Sequence, residues 1–142
     1  MLLNIKNLRT YYRIQDGIVK AVDGVSLSVQ EDEVFGLAGE SGCGKSTLIR
    51  TIMRLVPQTA GIEADELSYR GQELLSYSEK EYRDKILCKE ISLVPQSAMA
   101  SLNPVYRVGE QIAEAIQTHT PMDKRHLTER IATLFKGVCL QP

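Results

Sequence analysis

The chain has 142 residues, 17 of them Lys or Arg and 18 Asp or Glu, for a formal net charge of −1. With 43% hydrophobic and 25% charged residues it has the make-up of a globular domain, which excludes disordered, collagen-like and fibrous chains. The neutral balance gives no footprint for nucleic acid, and no run approaches the ~18 apolar residues of a membrane span.

The opening MLLNIKNLRT lacks the apolar stretch and small-residue cleavage site of a secretory signal. Cys43, Cys88 and Cys139 are widely spaced, with no CxxC, and predict reduced thiols in a cytosolic protein. Leu3-Asn4-Ile5-Lys6 alternates, as do Val25, Leu27 and Val29 with Ser26 and Ser28, the period of half-buried strands. Gln15-Asp16-Gly17 between them is turn chemistry, so two antiparallel strands are expected. Glu33-Val34-Phe35-Gly36-Leu37-Ala38 reads as a buried strand entering a glycine-rich turn. Leu48, Ile49, Ile52, Met53 and Val56 then recur at helical spacing until Pro57.

Glu66 to Arg70 is a weak strand candidate ending at Gly71, and Ser78-Glu79-Lys80-Glu81 is a capping-box pattern opening a helix to about Leu87. Ile91-Ser92-Leu93-Val94 is a short apolar strand cut by Pro95. Ile112, Ala115 and Ile116 mark one helix. A second, opened by Thr120-Pro121, carries Leu127, Ile131, Leu134, Phe135 and Val138.

The chemistry is concentrated at Gly39-Glu40-Ser41-Gly42-Cys43-Gly44-Lys45-Ser46, which fits the phosphate-binding pattern G-x-x-x-x-G-K-[ST]. Gly39, Gly42 and Gly44 let the backbone curl so that successive N–H groups point at a phosphate, and the following helix adds its positive end. Lys45 supplies a point charge for the β- and γ-phosphates, the Ser46 hydroxyl is a Mg²⁺ ligand, and Thr47 is placed to donate to the α-phosphate. Ser41 and Cys43 lie within the loop and contribute backbone; a small side chain at Cys43 is enough.

The stretch from Ile91 to Pro104 reads as a strand ending in the polar Gln96, then a loop, then a helix start near Asn103-Pro104. Downstream of a P-loop, it resembles the Q-loop of ABC-type ATP-binding subunits. Ser101-Leu102-Asn103-Pro104, Gly39 to Thr47 and Lys20-Ala21-Val22-Asp23-Gly24-Val25-Ser26 resemble the oligopeptide/dipeptide importer branch. The resemblance runs collinearly through nearly the whole chain. It implies an α/β P-loop NTPase core with an N-terminal antiparallel β subdomain (residues 1–33), a P-loop core to the Q-loop (34–96) and the start of a helical subdomain (97–142). It also implies Mg-ATP as ligand, Tyr12 stacked on adenine with Tyr11 as the rival, and Gln96 near Mg²⁺ and the attacking water. The implied partners are transporter membrane subunits and a second ATP-binding subunit, at the inner face of the cell membrane, with ATP powering uptake of peptides or similar solutes.

The family's acidic strand end (four apolar residues, then Asp-Glu) has no match. Asp84, Asp123 and Glu129 sit in charged or helical contexts, and Asp65-Glu66 precedes the Q-loop. Its Leu-Ser-Gly-Gly-Gln segment and later switch histidine are also without counterparts, since His119 and His126 read as surface residues. The chain is therefore expected to be the N-terminal part of a larger subunit, with little hydrolysis of its own and an incompletely paired core sheet. A short non-hydrolysing nucleotide-binding or interaction module is the alternative. A small kinase sharing only the P-loop fits less well, because a β-rich lead precedes the loop.

Overall fold

The computed structural model describes residues 1–97 and 101–140. Two compact units result, Met1–Ile91 and a second beginning at Ser92. Ala98-Met99-Ala100, within the Q-loop segment, and the terminal Gln141-Pro142 lie outside the described residues.

In the first unit, β1 (Leu3–Ile14) and β2 (Gly17–Val29) form the expected antiparallel hairpin, from Leu3 opposite Val29 to Ile14 opposite Gly17. Strict alternation would send Ile5 and Leu8 to opposite faces. The register shifts between them, with Asn7 at φ 52°, and both side chains end up buried. The Asn7 N–H released by this irregularity donates to Ser26 Oγ at 2.8 Å.

β1 is the central strand. Its second edge is shared by β3 (Ala60–Glu63), opposite Arg9–Tyr12, and β4 (Glu66–Tyr69), opposite Leu3–Lys6. An Arg70-Gly71 turn, both residues at positive φ, then leads to β5 (Gln72–Glu73). The antiparallel sheet thus recruits residues 60–73 as well as the N-terminal hairpin.

Helix α1 (Lys45–Ile52) buries Leu48 and Thr51 and stops at Met53, a turn short of Val56, because Arg54 adopts φ 53°. A 3₁₀ turn (Leu74–Ser76) and α2 (Glu79–Lys85) follow. The capping box predicted for α2 is present: Ser78 Oγ accepts from Glu81 N–H, and the Glu81 carboxylate accepts from Ser78 N–H. Ile5, Leu8, Leu67, Leu74, Tyr82 and Ile86 form the centre of the core.

Two expected strands are not formed. Residues 33–38 have no strand pairing among the described residues, and Val34 is 99% exposed. Of Ile91–Val94, only Ile91 makes a β-bridge, parallel to Leu87, and Val94 is 87% exposed. Both are apolar runs of the kind that needs a hydrogen-bonded neighbour on each side. Periodicity alone does not supply that neighbour.

In the second unit, α3 (Val108–His119) and α4 (Lys124–Gly137) pack together, with Gly109 against Ile131. Both begin later than expected. The Asn103 side chain accepts from Val105 N–H, making a turn, and the Glu110 carboxylate caps Arg107 N–H to open α3. Thr120 is the C-cap of α3, and the N-cap of α4 is Asp123, which accepts from Arg125 and His126 N–H. No helix among the described residues is long and apolar enough to cross a membrane.

One exposed pair ties β1 to β4. Lys6 Nζ donates to the Glu66 carboxylate at 2.6 Å, and Ser68 Oγ donates to it at 2.8 Å. Lys6 foremost, with the Asn4 and Ser68 side chains after it, holds the Glu66 carboxyl down to about 2. An unfolded Glu titrates near 4.3, so the linked stability is complete above that value and is lost as pH falls toward the folded one. Acid unfolding followed by circular dichroism should therefore show a steeper loss of stability for the parent than for Glu66→Gln over that window. Parallel curves would dismiss the pair as a contributor.

Candidate functional site

Leaving β2, the chain crosses an irregular, exposed stretch and closes into the loop Gly39–Gly44 before α1. The loop packs against β2. A Cβ built on Gly44 would lie 2.3 Å from the Ala21 carbonyl oxygen, and Gly44 has φ 95°. Both facts demand glycine there. Gly42, at φ 82°, faces open space. A Cβ at Gly39 would meet Cys43 Sγ at 2.9 Å.

Gly44 is the N-cap of α1 and offers no side chain. Among the described residues no side chain caps the helix, and its first turn holds no acidic residue. Its leading N–H groups are therefore open to an anion, with the positive end of the helix behind them.

Lys45 folds back over the loop. Its Nζ donates to the carbonyls of Gly39 (2.7 Å) and Glu40 (2.5 Å) and lies 3.3 Å from Cys43 Sγ. Ser46 is exposed at the start of the helix, and Thr47 is half-buried. Beside Lys45, Cys43 and Gly44 lies a cavity of about 390 Å³, lined also by Lys20, Val22, Asp23 and Leu37. The loop thus brings together glycine backbone, one ammonium and the exposed hydroxyls of Ser41 and Ser46, a set that fits a phosphate. A divalent ion would find the Ser46 hydroxyl, but no group of three or more His, Cys, Asp or Glu side chains is placed to hold a metal among the described residues.

The two tyrosines of β1 differ. Tyr11 is engaged: its hydroxyl donates to the Asp23 carboxylate and Lys20 Nζ sits 5.4 Å above its ring. The bond to Asp23 pushes the Tyr11 phenol up and, reciprocally, holds the Asp23 carboxyl down. Tyr12 is half-buried between Val19 of β2 and Ala60 of β3, two residues beyond Thr10 and so on the same strand face.

Gln96 belongs to the second unit, where it is exposed in a turn. His119 is half-buried near the end of α3. His126 is exposed and bonded through Nδ1 to the α4 cap, Asp123, whose carboxyl that contact lowers.

Sequence reading missed that the rim of β2 (Lys20 to Asp23) walls this site. No local signal marks it, because the contact arises only when the loop folds back on the strand.

The ABC transporter family model matches residues 22–141. Among curated proteins, the chain is 36% identical over 143 residues to the dipeptide transport ATP-binding protein DppD of Caldanaerobacter subterraneus subsp. tengcongensis, covering 100% of this chain and 44% of that protein. It is 38% identical over 152 residues to the oligopeptide transport ATP-binding protein OppF of Escherichia coli, again covering 100% of this chain and 44% of that one. The chain thus spans less than half the length of these relatives. Among solved structures, the ATP-binding cassette MJ0796, bound to ADP and Pi, superposes with a TM-score of 0.75 at 23% identity over 99% of this chain and 58% of that one. That likeness speaks for the fold: an ABC-type α/β architecture with an antiparallel β sheet and helices. With the family model covering most of its length, the chain belongs to the ABC transporter family.

Proposed function

We propose that this chain is the N-terminal, nucleotide-binding part of an ATP-binding subunit that powers peptide uptake through an ABC transporter. The reading is supported above all by the glycine loop seated on β2 with the Lys45 ammonium folded over it. The names of the relatives, dipeptide and oligopeptide transport ATP-binding proteins, support the substrate class.

In this reading the backbone N–H groups of Gly39, Ser41, Gly42, Cys43, Gly44, Lys45, Ser46 and Thr47 bind the phosphates. Lys45 exchanges its two carbonyl acceptors for β- and γ-phosphate oxygens, and Ser46 offers its hydroxyl to Mg²⁺. Tyr12 presents its ring to adenine, a contact that adds stacking without reading hydrogen bonds. By the family resemblance, Gln96 would be the residue that approaches Mg²⁺ and the attacking water in the whole subunit. Mg-ATP, when bound, would supply the β–γ phosphoanhydride bond whose hydrolysis to ADP and phosphate drives transport in the whole subunit. The subunit works at the inner membrane face with membrane subunits and a second ATP-binding subunit. The chain itself binds nucleotide without appreciable turnover, because no acidic strand end or Leu-Ser-Gly-Gly-Gln segment is in its sequence.

Calorimetric titration with Mg-ATP tests this. Lys45→Ala should weaken binding about 50-fold, the worth of a lost charge-assisted bond. Equal affinities would overturn the phosphate role. Phosphate release by the parent that disappears in Lys45→Ala would overturn the absence of turnover.

A further inference from the structure

Two hydroxyls are fully buried in an otherwise apolar contact between β1 and α1. Thr10 and Thr51 are both 0% exposed, and their Oγ1 atoms lie 2.8 Å apart. The direction of the bond follows from proton counting. Thr51 spends its single hydroxyl proton on the carbonyl of Thr47, at 2.8 Å, so Thr10 is the donor to Thr51.

The chain of bonds continues into the loop. The peptide unit whose carbonyl Thr51 holds also carries the Leu48 N–H, which donates to the Gly44 carbonyl at 2.8 Å. Thr10 on the sheet is thus linked through Thr51 and the Thr47–Leu48 peptide to Gly44, the residue seated on β2. At its other end, Thr10 pairs with Val22 on one side and Ile62 on the other, and Tyr12 follows two residues later on the same strand.

Valine has nearly the shape of threonine and the same preference for strands, so packing alone does not call for hydroxyls here. An apolar contact between a helix and a sheet tolerates sliding, whereas a buried hydrogen bond fixes one position along the strand. We propose that the Thr10–Thr51 pair is a positioning device for nucleotide binding, setting the loop of α1 at a fixed distance from the Tyr12 ring so that one ligand engages both. The proposal rests on the reading of Tyr12 as the base platform and Gly42–Thr47 as the phosphate cradle. Neither threonine touches the ligand.

The test uses two ligands, Mg-ATP and inorganic tripolyphosphate, which carries the phosphates without a base. Thr10→Val removes the link while Thr51 keeps its bond to Thr47, so no buried donor is stranded. Calorimetry should show ATP affinity reduced about fivefold, the worth of one hydrogen bond, with tripolyphosphate affinity unchanged. Thr10→Ser, which restores the hydroxyl, should recover ATP binding. Should Thr10→Val fail to fold, the double variant Thr10→Val with Thr51→Val carries the same test without leaving either hydroxyl alone. An equal loss for both ligands, or no loss for either, would overturn the proposal and leave the pair a purely structural contact.

Tyr12→Ala separates the two levels. If it lowers ATP affinity selectively and Thr10→Val does not, the positioning role fails while the base platform stands. If Tyr12→Ala leaves the ratio of the two affinities unchanged, the platform reading itself fails.

Discussion

Gly44→Ala should destabilise the chain by about 3 kcal/mol and abolish Mg-ATP binding, adding a left-handed backbone penalty to overpacking against the sheet. The cause is specific. The new methyl would sit 2.3 Å from the Ala21 carbonyl oxygen, which is backbone of β2 and has no rotamer by which to retreat. The loop must lift from the strand, carrying with it the first turn of α1 and the Leu48 N–H bonded to Gly44. Gly42→Ala provides the comparison. Gly42 has a similar φ of 82° but nothing within 4 Å of an added Cβ, so only the conformational cost of about 1–2 kcal/mol remains. Urea unfolding and ATP titration of both variants measure the difference. If Gly44→Ala proved no worse than Gly42→Ala, close seating of the loop on β2 would not be what this position requires.

What the sequence makes legible here is what short-range physics decides. The Gln15-Asp16-Gly17 turn, the Ser78–Glu81 capping box and the helix after Lys45 all depend on residues within a few positions of one another, and all are formed. The glycine loop is legible for the same reason, since the spacing of Gly39, Gly44 and Lys45 is itself a backbone requirement. Strand identity is a different matter. Val34-Phe35-Gly36-Leu37 has a strand's composition, but strands exist only with partners, and none is supplied among the described residues. The converse case is β3, four residues that carry no strong pattern and become a strand because the free edge of β1 holds them.

The same logic divides the site. Composition cannot separate Tyr11 from Tyr12. Tertiary contact gives them different surroundings, with Tyr11 bonded to Asp23 and lying under Lys20. Helix ends show it at finer scale: Thr120-Pro121 has the chemistry of a helix start, yet Asp123 caps α4 with two backbone bonds where Thr120 ends α3.

Arg54 carries the other large expected effect, at the opposite end of α1. Its guanidinium donates to the carbonyls of Tyr77 (2.8 Å) and Leu74 (2.5 Å), and lies 4.7 Å from the centroid of the Tyr82 ring. Tyr82, 2% exposed, in turn donates its hydroxyl to the Ile52 carbonyl at 2.6 Å, satisfying an acceptor that the end of the helix leaves open. Burial pushes the Tyr82 phenol up, which favours the protonated form that donates this bond.

Arg54→Ala strands two carbonyl acceptors and removes the cation from the ring, for an expected loss of about 3 kcal/mol. Lysine should recover less than half of that, because a point charge cannot fork to two carbonyls while lying flat on a ring. Glycine offers a further check. It relieves the φ of 53° that Arg54 adopts, so Arg54→Gly should be about 1 kcal/mol more stable than Arg54→Ala despite having no side chain. Chemical denaturation of the three variants orders them. ATP affinity measured well below the unfolding midpoint should match the parent's, because the guanidinium binds the 3₁₀ turn and α2 rather than the glycine loop. A fall in affinity with stability intact would instead show that the C-terminal end of α1 governs the geometry of its N-terminal end.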